Sequence, residues 1–91
     1  MSKKNQNILE EANGLIYGDR QQDYGSVTEN FNNIAKGWQV IFGCEITPEQ
    51  VGLAMAWLKI ARQTNKPKRD NLVDAVGYLG CIDKMNYEKE K

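Results

Sequence analysis

Two cations stand near the end of an apolar segment, and their position makes them candidates for binding phosphate. Residues 51–61 contain Lys59 as their one charged residue, and Arg62 follows. At about 100° per residue, a helix places both cations on or beside its apolar stripe. A cation at the edge of a core needs an anion, either a carboxylate of this chain or a phosphate of a ligand. Both alternatives stay open, because the side-chain stems could also pack while the heads reach water or meet Asp70 and Asp74.

Two carboxylates begin the next segment, after the basic stretch Lys66–Arg69. Asp70 and Asp74 are four residues apart, which places them on one face of a helix, with Tyr78 one turn further along. Such a pair could bind Mg²⁺ through single oxygens and water, leaving positions for phosphate oxygens. The same spacing is also ordinary at the start of a helix, where acids complement the helix dipole.

The segment Gly18–Gly25 is polar and bracketed by glycines, which predicts a loop. Arg20 suits bidentate contact with phosphate, the amide of Gln21 suits a base edge, and Tyr24 can stack on a base. A solvated loop between helices would have the same composition. The candidate ligand-binding residues of this loop are Asp19, Arg20, Gln21, Asp23 and Tyr24.

Helices must position these residues, because apolar residues recur at spacings of three and four along the chain and no strand-like alternation is present. Capping-box signals stand at Ser26–Glu29 and at Thr47–Gln50. We therefore predict an all-α fold, a single domain over residues 1–91 built as a small bundle of about four helices. The predicted helices cover about 6–17, 26–42, 47–65 and 70–86, with the polar loop at 18–25.

The apolar stripes predict which side chains form the core. The second helix carries its stripe through Trp38 to Ile41, and the third has almost no polar face, so we expect other helices to surround it. Trp38 and Trp57 are expected in the core or at an interface. For the fourth helix we expect Asp70 as the N-cap and an apolar stripe formed by Leu72, Val76, Leu79, Ile82 and Met85.

Composition excludes several functional classes. The chain has 91 residues, 12 basic and 12 acidic, and no histidine. Zero net charge removes a general attraction to nucleic acid or anionic membrane, so neither is an expected partner. Without histidine there is no Ser–His or Cys–His nucleophile pair. A domain of this size buries a modest core, so we expect a homo-oligomer to complete the bundle.

The two cysteines and the hydropathy pattern indicate a cytoplasmic protein. Cys44 and Cys81 have no further cysteine that could complete a zinc cluster, and no CxxC motif is present. The N-terminal residues lack the apolar region of a signal peptide, so two free thiols in a reducing compartment are expected. The longest apolar run is far below the roughly 20 residues that a membrane span needs.

Five blocks of the sequence stand in this order: Gly18–Gly25, Glu29–Trp38, Glu45–Pro48, Leu58–Arg62 and Asp70–Tyr78. Together they resemble a family of short phage proteins of unassigned function that is often described as MazG-like. The resemblance implies an all-α relative of the nucleoside triphosphate pyrophosphohydrolases, which assemble from helical bundles and act on nucleotides with Mg²⁺. It also implies a location in the cytoplasm of an infected bacterial host.

The sequence departs from the MazG pattern at the residues that would hold metal. A MazG-type enzyme carries a Glu-Glu-x-x-Glu cluster, whereas Glu10 and Glu11 here are followed by Ala12-Asn13-Gly14, with no third acid at the required position. The helix before Asp70 and Asp74 carries cations, which can bind phosphate but cannot ligate a metal ion.

These observations predict a protein that binds a nucleotide or a nucleotide-derived signal. Lys59, Arg62 and Arg20 would contact phosphates, Tyr24 would stack, and the aspartates and Tyr78 would complete the polar site. In a phage, such a protein could sequester a host defence signal. One alternative is a Mg²⁺-dependent nucleotide pyrophosphohydrolase, with Asp19, Asp23, Asp70 and Asp74 as metal ligands. Another is an inhibitor that binds a host protein through Trp38 or Trp57.

Overall fold

The computed structural model describes residues 6–18 and 26–89, and over these residues it contains four α-helices and no strand. The all-α fold is therefore confirmed. The fourth helix is longer than predicted at both ends, and the other helix boundaries agree with the prediction within two residues. The helices are α1 (Ile8–Tyr17), α2 (Val27–Phe42), α3 (Pro48–Asn65) and α4 (Arg69–Lys89).

Local capping explains where the first three helices begin. The Thr47 hydroxyl accepts from the backbone N–H of Gln50 at 3.1 Å, and the Gln50 side chain accepts from the backbone N–H of Thr47 at 2.9 Å. Asn7 and Glu10 form an equivalent box before α1, which the sequence pattern alone did not identify. At α2 the Ser26 hydroxyl accepts from the backbone N–H of Glu29 at 3.0 Å. Each cap satisfies backbone N–H groups that have no partner within the helix.

A glycine in the left-handed region ends α2. Gly43 has a φ of 69°, and its N–H donates to the carbonyl of Gln39 at 2.9 Å. The side chain of Gln39 then accepts from the backbone N–H of Ile46 at 3.1 Å. Because L-residues with a side chain disfavour positive φ, Gly43 is the residue that allows the chain to turn here toward α3.

The main core lies where α2 packs against α3 and α4. Its buried residues are Val27, Phe31, Ala35, Val51 and Met85. Gly52 permits close packing, because a Cβ there would lie 2.6 Å from Ile82 Cγ1 and 3.3 Å from the Phe31 ring. On the other side of α4, Gly80 is in close contact with the side chain of Ile16 of α1. Ile16 and Ala12 are both buried.

Some of the predicted core stripes are wrong. Ile41 is 72% exposed, because the core contacts of α2 end at Trp38. Leu72 and Leu79 are also exposed. The reason is that α4 packs against α3 on one side and α1 on another, so its buried positions do not follow one stripe. The buried residues of α4 are Asn71, Val73, Ala75, Gly77 and Met85.

Two further expectations for α3 and α4 need correction. Other helices do not surround α3: it packs against α2 and α4, while Trp57 is 68% exposed. Trp38, in contrast, packs against the core as expected. Asp70 does not cap α4, because that helix begins at Arg69 and places Asp70 in its first turn. No helix within the described ranges is both long and apolar enough to cross a membrane.

Candidate functional site

The structure brings two of the predicted site residues into direct contact. Lys59 of α3 and Asp74 of α4 form an ion pair, with 3.1 Å between Lys59 Nζ and Asp74 Oδ2. Their side chains are 19% and 34% exposed, so the pair lies at the edge of the helix contact. Of the two partners that the sequence left open for the Lys59 cation, the structure shows the carboxylate of this chain.

A polar network beside this pair fixes the turn between α3 and α4. The side-chain oxygen of Gln63 accepts from Asn71 Nδ2 at 3.1 Å and from the backbone N–H of Lys68 at 2.9 Å. The same amide nitrogen of Asn71 lies 3.4 Å from the carbonyl of Lys66. Asn71 is 8% exposed, and these bonds satisfy a buried amide that would otherwise be costly. Neither Gln63 nor Asn71 was predicted from the sequence.

The other predicted residues do not join one cluster in the described part of the chain. Tyr78 is half-buried and packs against the main core. Arg62 and Asp70 are exposed. The predicted loop residues Asp19, Arg20, Gln21, Asp23 and Tyr24 lie outside the described residues. Their ligand-binding roles stay predictions, as does that of Lys59.

The metal-binding prediction has a similar status. Within 6–18 and 26–89, no group of three or more Cys, Asp or Glu side chains is placed to hold a metal ion. Asp70 and Asp74 lie one turn apart on α4, and Asp74 already contacts the Lys59 ammonium. Their role as Mg²⁺ ligands in the hydrolase alternative stays a prediction, since that alternative also needs Asp19 and Asp23.

A cavity of about 330 Å³ that is open to solvent lies between the end of α1 and the C-terminal half of α4. Tyr17 lines it from α1, and Asp83, Asn86 and Tyr87 line it from α4. The three α4 residues stand at i, i+3 and i+4, which places them on one face of the helix. The cavity therefore combines two aromatic rings with a carboxylate and an amide. The i, i+3, i+4 spacing of the three α4 residues is visible in the sequence, but the predicted site did not include them.

Lys84 holds the end of α1 against α4 beside this cavity. Its Nζ donates to the carbonyl of Ile16 at 3.2 Å and lies 4.8 Å from the centroid of the Tyr17 ring. A cation at the C-terminus of a helix is favoured by the helix dipole, and a cation over an aromatic face is also attracted. Together with the close contact between Gly80 and Ile16, these interactions position Tyr17.

The chain also returns to α4 after residues 19–25. The Thr28 hydroxyl donates to Glu88 Oε1 at 2.7 Å, near the C-terminal end of α4. Tyr17, before this segment, and Thr28, after it, therefore both lie beside the last turns of α4. The described residues on either side of the predicted loop therefore lie close to the cavity.

The ion pair and the cavity lie on different faces of α4. Asp74 and Asp83 are nine residues apart, which corresponds to about 13 Å along the helix axis and about 180° around it. Asp74 points to α3, whereas Asp83 lines the cavity beside α1. The body of α4 therefore stands between the two regions. The structure thus separates the Lys59–Asp74 pair from the cavity, whose lining residues were not among the predicted site residues.

The cysteines are both free thiols in different surroundings. Cys44 is exposed after α2, whereas Cys81 is partly buried and packs against the main core. Burial raises the pKa of the Cys81 thiol, and the positive charge of Lys84 opposes part of that increase. Burial therefore favours the thiol form of Cys81 over the nucleophilic thiolate.

Comparison with known proteins identifies relatives over nearly the whole chain. The family model described as Domain of unknown function (DUF6378) matches residues 7–86. The Gene 55 protein of Mycobacterium phage L5 is 42% identical over 86 residues, which are 92% of this chain and 55% of that protein. The Gene 55 protein of Mycobacterium phage D29 is 39% identical over 85 residues, 92% of this chain and 56% of that protein.

These matches confirm the predicted similarity to phage proteins of unassigned function. The chain spans about half the length of the curated relatives that it matches. No solved structure matches it. The relation to MazG stays a prediction.

Proposed function

Because the chain belongs to the DUF6378 family, whose description assigns no activity, we propose a function from its own residues: it binds a nucleotide or a nucleotide-derived signal. We place the base and ribose in the cavity between α1 and α4. The observation that carries this proposal is the combination of Tyr17, Tyr87, Asp83 and Asn86 around one space of about 330 Å³.

The chemistry of this lining suits a nucleoside. Aromatic rings stack on the flat face of a base, whichever base it is. A carboxylate accepts hydrogen bonds from amino or hydroxyl groups, and an amide such as that of Asn86 both donates and accepts. The cavity volume lies at the lower end of the range of about 300–1,000 Å³ that is usual for small-molecule sites.

Arg20 is the phosphate contact that we propose for this site. It follows Tyr17 by three residues, and a chain of that length reaches at most about 10 Å. Lys59 and Arg62 were the other predicted phosphate contacts. We favour Arg20 over these two because Lys59 already has a carboxylate partner and because both lie on α3, away from the cavity.

The proposed role of this binding is sequestration. The relatives are phage proteins, and a small protein that binds a host signal without converting it lowers the free concentration of that signal. The hydrolase alternative makes a different prediction for the same complex, because Mg²⁺ would then allow the bound nucleotide to be cleaved.

Titration calorimetry with ATP, ADP-ribose and cyclic AMP tests the binding. We expect at least one of them to bind, and we expect Tyr17→Ala and Asn86→Ala each to weaken that binding by tenfold or more, about 1.4 kcal/mol. Lys59→Gln and Arg62→Gln are the matched controls and should change the affinity less than twofold. Absence of binding by all three compounds, or loss of binding in the control variants alone, would contradict the proposal.

Mass spectrometry of the recovered nucleotide separates binding from hydrolysis. After incubation with protein and Mg²⁺, sequestration predicts that the compound is recovered unchanged. Release of pyrophosphate that stops with EDTA and with Asp74→Asn would support the hydrolase alternative instead.

A further inference from the structure

Five of the large apolar side chains that are exposed on α3 and α4 lie on one side of the helix pair. Trp57 is 68% exposed, and the four aliphatic residues are 43–49% exposed. We call this surface the α3–α4 face; it consists of Leu53, Trp57, Ile60, Leu72 and Leu79. Soluble monomers expose single apolar side chains commonly, but a contiguous group of this kind marks an interaction surface.

The contacts between α3 and α4 place these residues on one side of the helix pair. Gly52 is close to Ile82, Lys59 pairs with Asp74, and Gln63 bonds to Asn71, so the helices run antiparallel. In this register Leu79 lies beside Leu53, and Leu72 lies beside Ile60, each offset by less than one turn. At about 100° per residue, all five side chains project to the side opposite α2.

We propose that the α3–α4 face binds the same face of a second copy of this chain. Trp57 contributes on the order of 150 Å² of exposed surface, since aromatic side chains bury about 150–250 Å². With the four aliphatic residues, the face reaches on the order of 500 Å², the upper part of the range for a patch on a monomer. A standard interface uses about 800 Å² from each partner, and about 65% of a homodimer interface is apolar. The apolar part is therefore about 500 Å² on each partner, which matches the area of the α3–α4 face.

Charge defines the orientation of the two copies. One end of the helix pair carries Glu49, with Glu45 just before α3, and the opposite end carries Lys66 and Lys68, all of them exposed. A two-fold axis that lies in the interface, perpendicular to the helices, places the acidic end of one copy over the basic end of the other. It also stacks α3 antiparallel on α3 with Trp57 near the axis, so that Leu53 faces Ile60 of the second copy. A two-fold axis along the helices would instead bring like charges together.

Sedimentation equilibrium of the whole chain tests this interface. We expect a mass of at least twice 10.4 kDa for the native protein and 10.4 kDa for Leu53→Glu and for Leu79→Glu. Leu9→Glu is the matched control, since Leu9 is 65% exposed on α1 and the variant should retain the native mass. Circular dichroism verifies that each variant keeps its helices. A monomeric native protein, or an assembly that both α3–α4 variants leave intact, would overturn the proposal.

Cysteine cross-linking tests the orientation of the two copies, and a cysteine disrupts the apolar contacts less than a glutamate does. In a background of Cys44→Ser and Cys81→Ser, an equimolar mixture of Leu53→Cys chains and Ile60→Cys chains should form the mixed disulfide in excess over either symmetric disulfide. No excess of the mixed product would overturn the antiparallel arrangement. Capture of a different protein by monomeric chains through Trp57 would support the inhibitor alternative against this proposal.

Discussion

The two sides of α4 use polar residues in opposite ways. Toward α3, Asp74 and Asn71 are bonded to side chains of the neighbouring helix, and the surrounding residues are close-packed. Toward α1, Asp83 and Asn86 line an open cavity together with two tyrosines. Residue type alone does not distinguish these situations, since each side holds one aspartate and one asparagine.

This difference separates polar residues that maintain the fold from polar residues that are available to a ligand. A carboxylate with an ammonium at 3.1 Å has its charge compensated within the protein. A carboxylate and an amide beside a cavity retain bonding capacity for an incoming molecule. We therefore propose that the α3 side of α4 maintains the fold and that the α1 side binds the ligand.

The largest effect that we expect concerns the packing of the α3 side. Gly52→Ala introduces a Cβ at 2.6 Å from Ile82 Cγ1, so we expect the free energy of unfolding to fall by about 1–2 kcal/mol despite the better helix propensity of alanine. Denaturant unfolding measures this change. Gly37→Ala is the control: its Cβ meets nothing within 4 Å, and the variant should gain about 0.5–1 kcal/mol.

The same substitution on the α1 side should cost less. A Cβ at Gly80 meets Ile16 Cδ1, the free end of a side chain that can change rotamer. We expect Gly80→Ala to lower the free energy of unfolding by less than Gly52→Ala does. If Gly80→Ala were the more costly variant, the α1 side would be the more tightly packed one and our comparison would be wrong.

A smaller effect is expected for the ion pair. Lys59→Met leaves the half-buried carboxylate of Asp74 without its partner, and we expect a loss of about 1 kcal/mol in the free energy of unfolding. A double-mutant cycle with Asp74→Asn should give a coupling of about 0.5–1 kcal/mol. Lys66→Met, at an exposed position, should change stability by less than about 0.5 kcal/mol. Zero coupling would return Lys59 to the list of candidates for binding phosphate.

The smallest perturbation is alkylation of the cysteines. Because burial raises the pKa of Cys81 and shields its sulfur, iodoacetamide at pH 8 should modify Cys44 at least tenfold faster in the folded protein. Unfolding in guanidinium should make the two rates similar. Mass spectrometry of digested samples measures both sites. Similar rates in the folded state would show that the region around Cys81 opens readily.

The helices could be predicted because their signals are local. Thr47 and Gln50 are three residues apart, and the structure shows the bonds that this spacing predicts. Leu72 and Leu79 were wrongly assigned to the core because α4 has neighbours on more than one side, and a single apolar stripe does not record that. Their periodicity was real, but it describes the exposed α3–α4 face.

The candidate site was harder to predict because it depends on long-range contacts. Tyr17 and Asp83 are 66 residues apart, and only the packing of α1 against α4 brings them to one cavity. Lys59 and Asp74 illustrate the converse: the sequence allowed a carboxylate or a phosphate as the partner, and the choice needed the register of α3 on α4. Local spacing identifies which residues share a helix face, but it does not show what that face meets.

The most direct test of our account is the pattern of amide chemical-shift changes when ADP-ribose or ATP is added to ¹⁵N-labelled protein. We predict that the largest changes occur at Tyr17 and at Asp83–Tyr87, around the cavity, and that Lys59 and Asp74 change little. Changes concentrated at Lys59, Arg62 and Asp74, with none around the cavity, would contradict the assignment of binding to the α1 side of α4.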